Sequence, residues 1–253
     1  MVIPIGDLNP VRRRPWVLRL IILANLAVFF GLQPWIDGQC AQLAFFLRWA
    51  AIPAELLQGT PLNPADVANG PFSAECGLSP VTDKAIYGSA VSSLFLHADI
   101  WHLLGNMLFL WIFGNNIEDR MGHGRFAGFY LLAGLLATAV FVAANSGQAV
   151  PLVGASGAVA GVLGAYLILF PTARVTVIIP PLFFLPFALP AIIVLGGWFL
   201  LQLRDVSGPA VGGGVAYLAH VAGFVFGAVA VLVLGLRTPR VRRRRQPRPR
   251  PTA

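Results

Sequence analysis

Apolar residues fill this chain in long blocks separated by short polar breaks, and the length of each block decides what it can become. Blocks of the roughly 17–25 residues needed to cross a bilayer as a helix fall at 16–36, 101–117, 126–144, 154–170, 183–203 and 215–236. They predict an all-α polytopic membrane protein with six spans at 16–236, a leading segment at 1–15 and a tail at 237–253. A long loop at about 37–95 separates the first two spans. Within it, "CAQLAFFLRWAAIPAELL" is apolar but broken by Arg48, Pro53 and Glu55, which suits a helix lying in the interface. The block at 154–170 is short and glycine-rich, so its centre is expected against protein rather than lipid. The pattern shows no internal repeat and no second domain.

Composition agrees with the blocks. The chain is 57% hydrophobic and 11% charged, with a mean hydropathy of +0.75. That is under half the roughly 25% charge of soluble domains. Arg12, Arg13, Arg14 and Arg19 precede the long apolar run of the first block, with no small-residue cleavage site behind it, so a retained first span is expected. Placing both termini in the cytoplasm puts fifteen of the eighteen Lys and Arg on the inner side and leaves only Arg48, Lys84 and Arg204 elsewhere. This is the orientation the positive-inside rule selects for a multi-pass protein of the cell membrane. The net charge of +8 then reflects topology and calls for no nucleic-acid partner. The tail "RVRRRRQPRPRP" reads as a solvated stop-transfer segment, with contact to anionic headgroups as the other option. Cys40 and Cys76 share the long loop; a bridge in an oxidising compartment and two free thiols are both open.

All ten carboxylates fall outside the six blocks. Ion-coupled pumps rely on carboxylates within the membrane, and a bilayer aspartyl protease needs two, so both classes lose support. "HADIWH" lacks the glutamate and spacing of a zinc-protease helix, and no nucleotide-binding glycine loop is present. Neither a metal nor a cofactor is expected. Among the residues that stay polar inside the blocks are His102, Asn106, Ser156 and His220, with Gln202 and scattered threonines and tyrosines.

With the termini inside, the second, fourth and sixth spans all start at the external face, so those four residues share one depth. Ser156, Ala160 and Gly164 form one stripe on the fourth helix, and His220, Gly223 and Gly227 form another on the sixth. Gly157–Gly161 and Gly223–Gly227 are both G-x-x-x-G, a spacing that lets backbones approach closely in lipid. A serine side chain is short, so an imidazole on another helix meets it only if the helices nearly touch. Ser156 is then a candidate nucleophile and His220 its general base. Without an intramembrane carboxylate the pair is expected as a dyad, with His220 oriented by packing. Asn106 and His102, one turn apart, together with the Ser156 backbone N–H, are the candidate oxyanion donors.

"GASG" around Ser156, "AHVAGFVFG" around His220 and "HADIWHLLGN" at the second span together resemble the rhomboid intramembrane serine proteases over about residues 86–236. The resemblance implies a six-helix rhomboid core that cleaves single-span membrane proteins near their outer ends, with transmembrane substrates and lipids as its partners. It also implies Ser156 as nucleophile, His220 as base, and His102 and Asn106 on the oxyanion side. By the same resemblance, Gly154 and His97 surround the site, and Trp198 and Phe199 in "GWF" belong to the segment that gates substrate access. Glu118 and Arg120 in "GNNIEDRMG" are expected to be structural. Two departures stand out. The aromatic that some members carry four residues after the serine is Ala160, leaving Tyr166 or Tyr217 to orient His220. The loop reads Arg48–Trp49 in place of the more usual Trp-Arg. Water must reach Ser156, so a hydrated cavity opening outward is expected above it. A non-proteolytic rhomboid-like chaperone or scaffold is the main competing expectation, and a small-solute channel or transporter a weaker one.

Overall fold

A computed structural model describes residues 2–69, 76–179, 183–207 and 216–236 of the chain. It is a mostly helical domain. Strand β1 (Ile3–Asp7) leads to helix α1 (Trp16–Gly31), and the long loop then folds into α2 (Gln39–Trp49), α3 (Pro53–Gln58), α4 (Pro64–Asn69) and α5 (Ser89–Ser92). Helices α6 (Ile100–Met121), α7 (His123–Ala144) and α8 (Ser156–Leu169) follow. Strands β2 (Arg174–Ile179) and β3 (Phe183–Pro190) then precede α9 (Ala191–Ser207) and α10 (Tyr217–Val233).

The main core lies where α6, α7, α8 and α10 meet, around Leu103, Leu110, Phe113, Tyr130, Val162 and Tyr166. The outward sides of α1, α9 and α10 expose large apolar groups such as Leu20, Leu23, Leu200, Val229 and Val233. A water-soluble monomer rarely leaves so much apolar surface open. Among the described residues, only α7 is by itself long and apolar enough to cross a membrane; α6 passes the same test together with the short helical stretch at Ser89–Phe95, bent from it by 88°. Helices α1, α8 and α10 are apolar but have 16, 14 and 17 residues.

One expected helix is corrected. The block at 183–203 does not form a single span: its first eight residues are β3, and the helix starts only at Ala191. The strands form an antiparallel sheet in the order β1-β2-β3. Its prolines explain the break. Pro4 lies in β1 and Pro186 and Pro190 in β3, and these are the two edge strands, where proline is tolerated because only one side of the strand is paired. Inside a helix, Pro186 would have removed a bond and clashed with the preceding turn. The central strand, "RVTVII", carries the β-branched residues. The leading segment, expected only as an extramembrane stretch, thus also contributes a strand.

Helix α6 runs four residues beyond the expected end of its block, placing Glu118 and Asp119 in its last turn. Glu118 is buried and accepts hydrogen bonds from the backbone N–H groups of Val17 (3.0 Å) and Leu18 (2.8 Å), so it caps the start of α1. In the loop, Cys40 and Cys76 are joined by a disulfide. Buried Lys84 pairs with Glu55 and donates to the Ala50 carbonyl, 2.9 Å away. The stretch expected in the interface divides into α2 and α3, with Arg48 held by Asp83 at 2.9 and 3.1 Å. The basic tail and the Gly212–Gly214 run lie outside the described residues.

Candidate active site

Helices α8 and α10 touch along glycines. A Cβ on Gly223 would lie 2.1 Å from the Gly157 carbonyl oxygen, and one on Gly164 would lie 2.0 Å from that of Phe224. No side chain fits in that seam, and the result appears at its upper end. Ser156 is the first residue of α8 and His220 the fourth of α10, and Ser156 Oγ lies 2.8 Å from His220 Nε2. The spacing of small residues along both helices had pointed to this contact.

The approach to α8 is shaped by Gly154, whose φ of +125° turns the chain just before the helix. It leaves no room for a side chain beside His102: an added Cβ would sit 2.8 Å from His102 Cε1 and 3.6 Å from Ser156 Oγ. His102 is placed by a helix cap, since Asp99 accepts the His102 N–H at 2.8 Å and starts α6 there. The His102 ring in turn meets His97 edge-on, with centroids 5.1 Å apart. His97 is fully buried, and Gln33 pins its backbone by accepting from the His97 N–H and donating to the His97 carbonyl. Burial first, and His102 second, push the His97 imidazole down to about 3, so it is neutral at physiological pH.

Asn106 is buried on α6 and donates one amide N–H to the His102 carbonyl at 3.1 Å. Trp198 lies beside His220 with centroids 6.0 Å apart, while Phe199 stacks on Phe224 at 4.4 Å. Of the two tyrosines expected to orient the histidine, Tyr217 is near, edge-on at 6.4 Å. Tyr166 is not: it sits toward the other end of α8, where its hydroxyl donates to Asp7 at 2.6 Å. A small cavity with room for about one water adjoins Ser156, bounded by Ser93, Thr138, Leu152 and Ala219 among others. Groups of His, Cys, Asp and Glu able to hold a metal are absent among the described residues.

The expected dyad lacked one partner. Gln202 Oε1 lies 2.7 Å from His220 Nδ1, so packing alone does not orient the imidazole. Its signal was present, a lone amide in an apolar block, but a depth count along α9 was blocked by the strand that takes the block's first half.

The Rhomboid domain is the family whose sequence model matches, over residues 86–237, well over half of the chain. The chain belongs to the rhomboid family. It is 33% identical over 148 residues to Rhomboid protein 1, mitochondrial, of Saccharomyces cerevisiae, covering 55% of this chain and 39% of that protein. It is 33% identical over 102 residues to the bovine Presenilin-associated rhomboid-like protein, mitochondrial, covering 40% and 27%. RHOMBOID-like protein 1 of Arabidopsis thaliana is 32% identical over 162 residues, covering 60% and 39%. The chain thus aligns with well under half the length of these curated relatives. As a rhomboid it is a membrane-embedded protein, in keeping with its apolar outer surface.

Proposed function

We propose that this rhomboid is an intramembrane serine protease that hydrolyses peptide bonds of single-span membrane proteins. The observation that carries the reading is the 2.8 Å contact between Ser156 Oγ and His220 Nε2 in an apolar helix seam. His220 takes the Ser156 proton as the hydroxyl attacks the scissile carbonyl, then gives it to the leaving amine; water hydrolyses the acyl-enzyme by the same route in reverse. The oxyanion forms beside the start of α8, where the Ser156 N–H has no intrahelical acceptor and the helix dipole is positive. His102 lies against this point, and the second amide N–H of Asn106 is available to it. His97 and Gly154 hold His102 in place; Trp198 and Phe199 form the wall toward α9, where a substrate would approach.

The same proposal has α1, α6, α7, α8, α9 and α10 as six spans within a membrane domain at 16–236, with lipid against their apolar outer faces. The arginine distribution supports a cell-membrane orientation with both termini cytoplasmic and Ser156 toward the external side. The loop at about 37–95 packs against the segment before α8, through Leu152 N–H to the Ala51 carbonyl at 2.7 Å and Ala54 N–H to the Gln148 carbonyl at 3.1 Å. It would thus cover the site from outside. Cleavage of a single-span substrate by the purified full chain, abolished in Ser156→Ala, is the expected result. Equal cleavage by both proteins would end the protease reading, and binding without cleavage would favour a scaffold.

A further inference from the structure

His220 has two ring nitrogens, and the proposed chemistry spends one of them on Ser156. A general base must present a bare Nε2, so its proton must sit on Nδ1. In an apolar seam an Nδ1–H without an acceptor is costly. The acceptor present is Gln202 Oε1, 2.7 Å away, on a residue only 9% exposed. Gln202 and Trp198 are four residues apart on α9 and present one face to His220, the amide to the ring edge and the indole to its side. Resting on the protease reading, we infer that Gln202 is a positioning residue, which holds His220 in the tautomer and rotation that let Nε2 take the Ser156 proton.

An amide suits this task. Its carbonyl accepts a proton-bearing nitrogen without adding a charge, whereas a carboxylate there would need desolvation. The other groups facing His220 give no substitute. Ser156 on α8 occupies Nε2, His102 on α6 makes no hydrogen bond to the ring, and Tyr217 on α10 meets it edge-on at 6.4 Å. Without Gln202, the two neutral tautomers compete, and one of them points an N–H at the nucleophile. With glutamate at 202, the acceptor remains and its charge favours the imidazolium.

The test uses the full chain in lipid vesicles with a single-span substrate. Wild type, Gln202→Leu, Gln202→Glu and Ser156→Ala are compared for kcat, KM and the pH profile of kcat/KM. Labelling of Ser156 by a fluorophosphonate gives a second readout that needs the base but not the substrate. Gln202→Leu should lower kcat and labelling about tenfold to a hundredfold with KM unchanged, part of what a general base contributes. Gln202→Glu should keep most of the activity and move the acid limb to higher pH by about one unit or more, since charge favours the protonated ring. Wild-type kcat in Gln202→Leu overturns the assignment. So does Gln202→Glu when it is as impaired as Gln202→Leu, or active with an unmoved acid limb. If wild type neither cleaves nor labels above Ser156→Ala, the underlying protease reading falls, and this assignment with it.

Discussion

The carbonyl oxygen of Gly161 occupies the space that a side chain on Gly227 would need: a Cβ built there lies 1.8 Å from it. Contacts this short are between backbones, which cannot turn aside as a side chain can. Gly227→Ala should therefore push α10 off α8 and lengthen the Ser156–His220 contact. The expected cost is about 1–3 kcal/mol or more in stability, with cleavage reduced at least about tenfold, since roughly 1 Å of misplacement can cost about a hundredfold. Gly105→Ala, where the added methyl meets nothing within 4 Å, is the control. It should leave both thermal unfolding and cleavage near wild type, and matching losses in the two variants would contradict the seam.

Acid should unfold the wild type partly through His97. Its folded value is depressed to about 3 from 6.5, so the stability it contributes is complete above pH 6.5 and is lost as pH falls toward 3. At about 1.4 kcal/mol per unit, the full loss is about 5 kcal/mol. His97→Leu keeps an apolar occupant and removes the proton site. Its unfolding free energy should fall less steeply than wild type between pH 6.5 and 4, and parallel curves would refute the effect.

The Cys40–Cys76 bridge spans 36 positions of the long loop. Closing a loop of that size stabilises by about 3–4 kcal/mol in the chain-entropy view. Cys40→Ser, or reduction of the wild type, should lower the melting temperature and make the loop more sensitive to protease, readable by limited proteolysis. An unchanged digestion pattern would mean that the Lys84–Glu55 pair and the packing of α3 hold the loop without the bridge.

Asp7 accepts from the Tyr166 hydroxyl at 2.6 Å and from Asn116 at 2.9 Å, and burial raises its carboxyl above the ordinary 3.8. A raised value means that the folded state holds the proton more tightly. This contribution is complete below pH 3.8 and is lost as pH rises through the folded value. Asp7→Asn keeps an oxygen acceptor and cannot ionise. At neutral pH it should be at least as stable as wild type, and the difference should shrink toward pH 4. Calorimetry across that range checks the sign.

The pieces of the site legible in the sequence were those set by helix periodicity. The stripe of Ser156, Ala160 and Gly164 and that of His220, Gly223 and Gly227 predict a seam without coordinates, because each follows from 3.6 residues per turn. What the pattern hid was non-periodic. A run such as "FFLPFALP" has the hydropathy of a membrane helix, and only Pro186 and Pro190 betray a strand. Tyr166 was misplaced for a similar reason: nothing local shows that β1 would bring Asp7 to its hydroxyl, 159 positions away. Gln202 could be named as a polar residue but not aimed, since its direction depends on where α9 starts.

Strand β3 ends at Pro190 and α9 begins at Ala191, with no slack between them. Through β2, that junction is laced to residues 3–7. The first few amino acids are therefore a leash on the foot of the helix that carries Trp198 and Gln202. A load placed on residues 3–7 is carried through β2 to that junction, so a bulky group joined near β1 acts on the candidate site from a distance.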